Sequence, residues 1–340
     1  MEKFVSDRVK IYQALGYQYK IFATTHSEIQ LENSQKDINV EYLKSLTPLK
    51  IIPKLSQCNF NDFDVISVNQ VGYHYSYAVV KLAHELQKKI VVTPHFYFHT
   101  NRYKLFKKIF TKYFVRSIFQ MADKIICFTE YEKKFWLNKF NFITDKITTI
   151  PHYCSIENIS NNVLLKNTND FLFYLGRGDH NKKIDLLIEA FDKCNTELSL
   201  WMTLNENEIS KKSLKIVHLN RRIKLLGRVT EENKMKLLND CAALILPTEF
   251  EAFGIVNFEA SKYAKPLLVS NLNLFNEILD SRGVIYFQNS IIDLIAKIEY
   301  FSKLTEHEKQ FMGKINYENL KKFSFSYIIK KYELLYSNLK

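Results

Sequence analysis

"AALILPTEFEAFGIVNFEASKYAKPLLVSN" (242–271) reads as a buried strand, a polar loop, a helix and a second buried strand. The loop "PTEFEAFG" therefore stands at a strand's carboxyl end, where open α/β sheets take their ligands. Only 8 glycines occur in 340 residues, so one at the mouth of a helix calls for a reason. Gly254 permits a tight turn and lets backbone approach a ligand with no β-carbon in the way. The amides of Phe253, Gly254, Ile255 and Val256 would then face outward at the helix N-terminus and suit an anion without a metal. Glu259 lies just over one helical turn further in and can accept from two vicinal hydroxyls, such as those of a ribose. Glu251 sits on the near side, against whatever the anion carries. The same two carboxylates also read as ordinary charges near a helix start, and their spacing alone does not separate the readings.

The rest of the chain repeats this alternation. "YKIFATT" (19–25), "LKIIPK" (49–54), "FDVISVN" (63–69), "KIVVTPH" (89–95), "KIICFTE" (124–130) and "ITTIPH" (147–152) read as strands. So do "FLFYLGR" (171–177), "ELSLWMT" (197–203), "LKIVHL" (214–219), "IKLLGRV" (223–229), "AALILPT" (242–248), "KPLLVSN" (265–271) and "GVIYFQ" (283–288). Helix-length stretches fall at about 76–88, 101–121, 130–140, 182–194, 230–240, 254–263 and 291–303. Such alternation predicts parallel sheets with helices on both faces. There are too many strands for one ordinary doubly wound sheet, so the expected fold is α/β with two Rossmann-like domains. The polar, Asn-rich "NISNNVLLKNTND" marks the joint. The expected boundaries are 1–155, 156–322 and a last helix, 323–340, that crosses back to the first domain. The chain opens on what reads as a first helix, "VSDRVKIYQALGY". The N-terminal domain is thus expected to lack its first strand and Gly-rich loop.

"FLFYLGRGDHNKKIDLLIEAF" (171–191) adds two cations, Arg177 and Lys182, at another strand-to-helix turn. A nucleoside diphosphate leaving group gains negative charge as its glycosidic bond breaks, and two cations plus helix-end amides would stabilise that charge. A solvated loop is the plainer reading of both. Together with P-T-x-x-E-x-F-G-x-x-x-x-E-A followed by K-P, this resembles the E-x7-E signature of retaining GT-B glycosyltransferases, most closely glycosyltransferase family 4. The resemblance is tight over 171–271 and loose before 150. It implies that Arg177 and Lys182 hold the donor diphosphate, Glu259 the ribose, and Glu251 and His95 the sugar. Lys183 stands where the family usually has glycine. "IKLLGRVTEENKMKLL" resembles the segment whose backbone, around Arg228 and Val229, meets the nucleobase. His95 ends the strand "KIVVTPH"; a histidine there is also commonly structural. "FSFSYIIKKYELLY" resembles the family's returning helix, with Phe325 at its aromatic position. The turn "NLNLFNEI" keeps only Glu277 of the family's Gly-Gly-x-Pro-Glu.

The implied function is a retaining, metal-independent transfer of a sugar from a nucleoside-diphosphate sugar to an acceptor hydroxyl on a glycan, a lipid-linked or a protein-linked acceptor. The resemblance implies front-face substitution with no covalent nucleophile. The alternatives are a non-catalytic nucleotide-sugar-binding protein, or a glycosyltransferase acting on nucleic acid. No cofactor and no metal are expected. "DFD" (62–64) has the form of a metal-binding D-x-D, but it precedes a strand rather than ending one, so Asp62 and Asp64 read as turn residues.

Composition narrows the partners without choosing one. The formal charge of +12 favours phosphorylated ligands, nucleic acid or an anionic membrane face. Five scattered cysteines without a C-x-x-C argue for reduced thiols in a cytoplasm, and against disulfides and zinc. The charged start "MEKFVSDRVK" lacks the form of a signal peptide, and no apolar run reaches membrane-spanning length. "RYKLFKKIFTKYFVRSIF" (102–119) carries Lys104, Lys108, Lys112 and Arg116 as one stripe. Phe106, Phe110, Phe114 and Ile118 form another. It reads as a surface helix with a core face, as peripheral contact with an anionic membrane, or as a hold on a nucleic-acid acceptor.

Overall fold

A computed structural model of the chain describes residues 2–24, 40–43, 55, 58–95, 109–154 and 170–339. They divide into two units, residues 1–153 with 325–340, and residues 154–324. Each contains its own parallel sheet. Among the described residues every strand pairing is parallel, as strand–helix alternation requires.

In the first unit, β1 (Ile21–Thr24) pairs with β2 (Val40–Leu43). A separate four-stranded sheet runs in the order β3 (Val65–Asn69), β4 (Lys89–Thr93), β5 (Lys124–Cys127), β6 (Ile147–Thr149). Helices His74–Glu85 and Glu130–Lys139 alternate with these strands. The last helix, Phe325–Ser337, turns Ile328, Tyr332, Leu335 and Tyr336 into a core shared with Ile11, Val91 and Ile126. Asp62 and Asp64 precede β3, and Asp62 accepts from the Asn59 side chain at 2.8 Å.

The second unit holds six strands: β7 (Phe171–Tyr174), β8 (Ser199–Met202), β9 (Ile223–Leu225), β10 (Ala243–Leu246), β11 (Leu267–Ser270) and β12 (Val284–Phe287). Their order is β12-β11-β10-β7-β8-β9. The chain winds outward from β7 to β9, returns to lay β10 beside β7, and winds outward again. That reversal puts a topological switch point between β7 and β10, where the loops leaving adjacent carboxyl ends diverge and open a crevice. Both strands are fully buried, so their loops spring from the rigid centre of the unit.

Two readings of the sequence need correction, and one choice among readings is narrowed. "LKIVHL" is not a strand but part of helix Lys211–Leu219. Ser210 caps it, accepting from the Ser213 amide at 3.2 Å. Leu219 is 85% exposed, which a buried strand would not allow. The less exposed residues Ser213, Leu214, Ile216 and Val217 follow helical rather than alternating spacing. Next, the phenylalanine stripe of the basic segment faces inward. Phe110 is buried and stacks on Phe114 at 4.9 Å, and Phe114 packs on the same core. Insertion of these two rings into lipid is therefore ruled out by their packing; the exposed apolar side chains here are Ile109 and Tyr113. Last, the strand "KIVVTPH" stops at Thr93, and His95 adopts a left-handed φ of 57°. Lys104, Phe106, Lys108, the "LKIIPK" stretch and the Asn-rich joint lie outside the described residues. No described helix is long and apolar enough to cross a membrane. All five cysteines are buried and unpaired with one another.

Candidate active site

The crevice between β7 and β10 is lined by two loops, 175–183 and 247–254, and both are tightly braced. Below the first, the hydroxyl of buried Tyr174 donates to the Arg177 carbonyl at 2.8 Å. Thr203 Oγ1 accepts from the Gly176 amide and Glu208 Oε1 from the Gly178 amide, each at 3.2 Å. Below the second, a ring of bonds ties the carboxyl ends of three strands. The Thr248 amide donates to Ser270 Oγ at 2.7 Å, Ser270 Oγ to Asn289 Oδ1 at 2.8 Å, and Asn289 Nδ2 to the Thr248 carbonyl at 2.9 Å. The loops also bind each other: Glu249 N donates to the Asn181 carbonyl at 2.7 Å, and Asn181 Nδ2 to the Phe250 carbonyl at 3.2 Å. These bonds brace the two loops against the strands beneath them and against each other.

Across this frame three lysines meet three carboxylates of the "PTEFEAFGIVNFEA" segment. Lys182 is ion-paired with Glu251, both side chains 15% exposed. Lys183 reaches Glu249 at 2.5 Å. Lys234, on helix Glu231–Asp240, reaches Glu259 at 3.2 Å. Lys183 has φ 48° and ψ 39°, a left-handed backbone that glycine adopts without strain. The lysine thus stands where the backbone favours glycine, and nothing in the structure explains the replacement.

Gly254 caps helix Ile255–Ser261 with φ 73° and ψ 51°. The space its β-carbon would occupy is already filled, with Phe275 Cε1 at 2.7 Å and Asn257 Nδ2 at 3.0 Å. The glycine is therefore required by packing as well as by φ, rather than by ligand approach alone. Phe253 is a core side chain, stacked on Phe258 at 4.8 Å and edge-on to Phe323 at 5.8 Å. Only its backbone is available to the crevice. Ile255 and Val256 are half-buried in the first helical turn, and Val229 is half-buried in the loop after β9.

The structure brings Lys182, Glu251, Gly254 and the first turn of helix Ile255–Ser261 onto one loop pair, with Glu259 further along that helix. It does not bring Arg177 into their ion-pair network: Arg177 is 83% exposed and pairs with Asp179 at 3.0 Å. His95 belongs to the first unit, where its ring meets Phe128 edge-on at 5.0 Å. Lys234 was missed by the reading of the sequence. Its partner is 25 residues away, and the signal available was a lysine in a helix's first turn directly after the Val229 loop.

Burial, then the neighbouring guanidinium of Arg8, holds the His95 pKa down at about 3. The folded value lies below the unfolded one, so at low pH the unfolded chain binds the extra proton. The stabilisation is fully present above about pH 6.5 and is lost as pH falls toward 3, at no more than about 1.4 kcal/mol per pH unit. His95→Asn keeps a side chain tolerated at positive φ and removes the titration. The melting-temperature difference between wild type and this variant should therefore narrow from pH 7.5 to pH 5. Parallel pH profiles would contradict it.

Comparison with known proteins agrees with this architecture. Residues 1–157 match the family model Glycosyltransferase Family 4, and residues 155–316 match Glycosyl transferases group 1. An uncharacterized glycosyltransferase of Methanocaldococcus jannaschii is 24% identical over 84% of this chain and 83% of its own length. The O-antigen biosynthesis glycosyltransferase WclY of Escherichia coli is 23% identical over 82% of this chain and 80% of its own. Among solved structures, Anabaena HepE in complex with UDP and glucose superposes with a TM-score of 0.78 at 14% identity, covering 98% of this chain and 95% of that one. Sucrose-phosphate synthase from Thermosynechococcus elongatus gives 0.77 at 17% identity, covering 97% and 90%. These superpositions establish the GT-B fold. The chain belongs to the GT-B glycosyltransferases, with a first half of the Glycosyltransferase Family 4 type and a second half of the group 1 type.

Proposed function

We infer that the enzyme moves a sugar from a nucleoside-diphosphate sugar to an acceptor hydroxyl of a glycan, with retention and without a metal. The observation that carries this reading is the loop pair at the β7–β10 switch point, where Lys182 and Glu251 face each other beside the left-handed turn at Gly254. The binding of UDP and glucose by HepE supports a nucleotide-sugar donor, and the O-antigen role in WclY's name supports a glycan acceptor.

In this reading Lys182 exchanges Glu251 for the donor diphosphate, and Glu251 turns to the sugar hydroxyls. Arg177, exposed on the same loop, closes on the diphosphate from outside. The amides of Gly254, Ile255 and Val256 add donors, Glu259 takes the ribose, and the backbone at Val229 meets the base. His95, neutral above its low pKa, acts toward the sugar as a hydrogen-bonding group rather than as a charge. The C1–O bond to the diphosphate breaks and its electron pair stays on the phosphate oxygen. The acceptor oxygen bonds to C1 on the same face, and its proton passes to that phosphate oxygen. Lys182, held in advance, and Arg177, on closing, supply the charge stabilisation that a metal would otherwise give.

The test is turnover of UDP-, GDP- and ADP-sugars in excess EDTA, with the product anomer read by NMR. Undiminished turnover and an unchanged anomeric configuration are expected. Strict dependence on Mg²⁺ or Mn²⁺ would overturn metal independence, and inversion would overturn the front-face course.

A further inference from the structure

Arg177 joins an exposed side chain to a fixed backbone. Its guanidinium is 83% exposed and pairs with Asp179 at 3.0 Å. The peptide groups around it are held at three points. Its carbonyl accepts from the Tyr174 hydroxyl at 2.8 Å. The amides of its neighbours, Gly176 and Gly178, donate to Thr203 Oγ1 and Glu208 Oε1, each at 3.2 Å. Both of these acceptors belong to one turn, the turn that follows β8.

Glu208 is committed on both of its oxygens. While Oε1 takes the Gly178 amide, Oε2 accepts from the Asn205 amide at 2.9 Å and from Asn205 Nδ2 at 3.2 Å. The Asn205 amide, and the Gly178 amide with it, hold the carboxyl below the usual carboxylate range, so it is ionised at neutral pH. The approach of the two loops is close. A β-carbon on Gly178 would stand 2.5 Å from both Cβ and the carbonyl oxygen of Glu208, so no side chain fits between them. The same turn also meets the loop after β9, where the Leu204 carbonyl accepts from the Gly227 amide at 3.0 Å. That contact is backbone to backbone and does not involve the Glu208 side chain.

Stability is a weak reason for a carboxylate to reach across 30 residues to a half-buried loop amide, because such an amide bonds to water at little loss. Position is a stronger one. A long exposed side chain must give up rotamer freedom to bind, and a mobile root adds backbone freedom to that cost. We propose that Glu208 is the positioning residue of Arg177: by gripping the Gly178 amide it fixes the root from which the guanidinium closes on the donor diphosphate, and so raises the preference for nucleoside diphosphates over monophosphates. The proposal rests on the reading of Arg177 as a diphosphate residue.

Calorimetry with UDP, GDP and ADP and the matching monophosphates tests this on the intact protein, alongside melting temperatures. Arg177→Ala should weaken the preferred diphosphate about 10-fold, a loss appropriate to one charge-assisted hydrogen bond, and leave its monophosphate unchanged. Glu208→Ala should weaken the same diphosphate about 5-fold, the cost of ordering one long side chain anew, and also leave the monophosphate unchanged. Added to Arg177→Ala, it should weaken binding no further while lowering the melting temperature as much as it does alone. Glu208→Gln keeps the size and one acceptor, so it should lose less, and it serves in the same cycle if Glu208→Ala does not fold. Equal weakening of mono- and diphosphate by the Glu208 variants, or an undiminished further loss on top of Arg177→Ala, would mean a structural role and overturn the proposal. If Arg177→Ala loses affinity while the Glu208 variants bind like wild type, only the Glu208 proposal fails. If Arg177→Ala leaves diphosphate affinity intact, or the wild type binds none of the six, the Arg177 reading fails and takes the proposal with it.

Discussion

Lys182→Ala is expected to lower kcat about 30- to 1,000-fold, equivalent to roughly 2–4 kcal/mol of transition-state stabilisation, by analogy with the removal of one oxyanion donor. The resting structure makes this more than a guess about a cation near a phosphate. Lys182 is already held in the crevice by Glu251, so its ammonium has given up most of its side-chain freedom before any donor arrives. A charge fixed in advance costs no further reorganisation when the leaving group becomes negative. Arg177→Ala should act in the same direction but more weakly, because its exposed guanidinium must first be immobilised to reach the donor.

A second variant separates catalysis from structure. If Lys182 mattered only as the counterion of Glu251, Lys182→Ala/Glu251→Gln would be as active as Glu251→Gln alone. If Lys182 acts on the diphosphate, the double variant stays as slow as Lys182→Ala or slower. The cycle is readable because the two residues touch and their effects need not add. A Lys182→Ala enzyme with wild-type kcat/KM would remove Lys182 from the site altogether.

What was legible in the sequence is what is local in the chain. The strand–loop–helix–strand reading of 242–271 matches β10, helix Ile255–Ser261 and β11, because each boundary carries its own punctuation: Pro247, Gly254 and Pro266. The parallel α/β architecture was legible for the same reason. Helix Lys211–Leu219 was not, since a short apolar run fits helix or strand until its cap at Ser210 is weighed. Helix Glu306–Asn319 had such a mark, the capping box Thr305–Glu308, in a stretch whose apolar periodicity is weak. Lys234 illustrates the harder limit. Its meeting with Glu259 depends on how two helices lie against one sheet, and no spacing within either helix encodes that. The phenylalanines of the basic segment show a third kind: a stripe at helical spacing states that one face is apolar but not whether protein or lipid covers it.

Gly254→Ala should be a damaging single-methyl change in the site. A left-handed φ costs an alanine about 1–2 kcal/mol. Its β-carbon would also stand 2.7 Å from Cε1 of Phe275, a fully buried ring, and overpacking of that kind costs about 1–3 kcal/mol. The sum, about 2–5 kcal/mol, should lower the melting temperature of the second unit by roughly 5–15 °C. Phe275→Leu in the same chain removes the atoms that clash but leaves the φ cost, so the double variant should recover part of the lost stability. Activity is the sharper readout. The strain of Gly254→Ala can be relieved by moving Phe275 or by lifting the first turn of helix Ile255–Ser261. Lifting that turn would carry its amides away from the donor. If the double variant regains stability but not donor affinity, the left-handed turn itself sets the position of those amides. If it regains both, packing alone explains the glycine. A Gly254→Ala protein with wild-type melting and turnover would show that neither the turn nor its contact with Phe275 matters to the site.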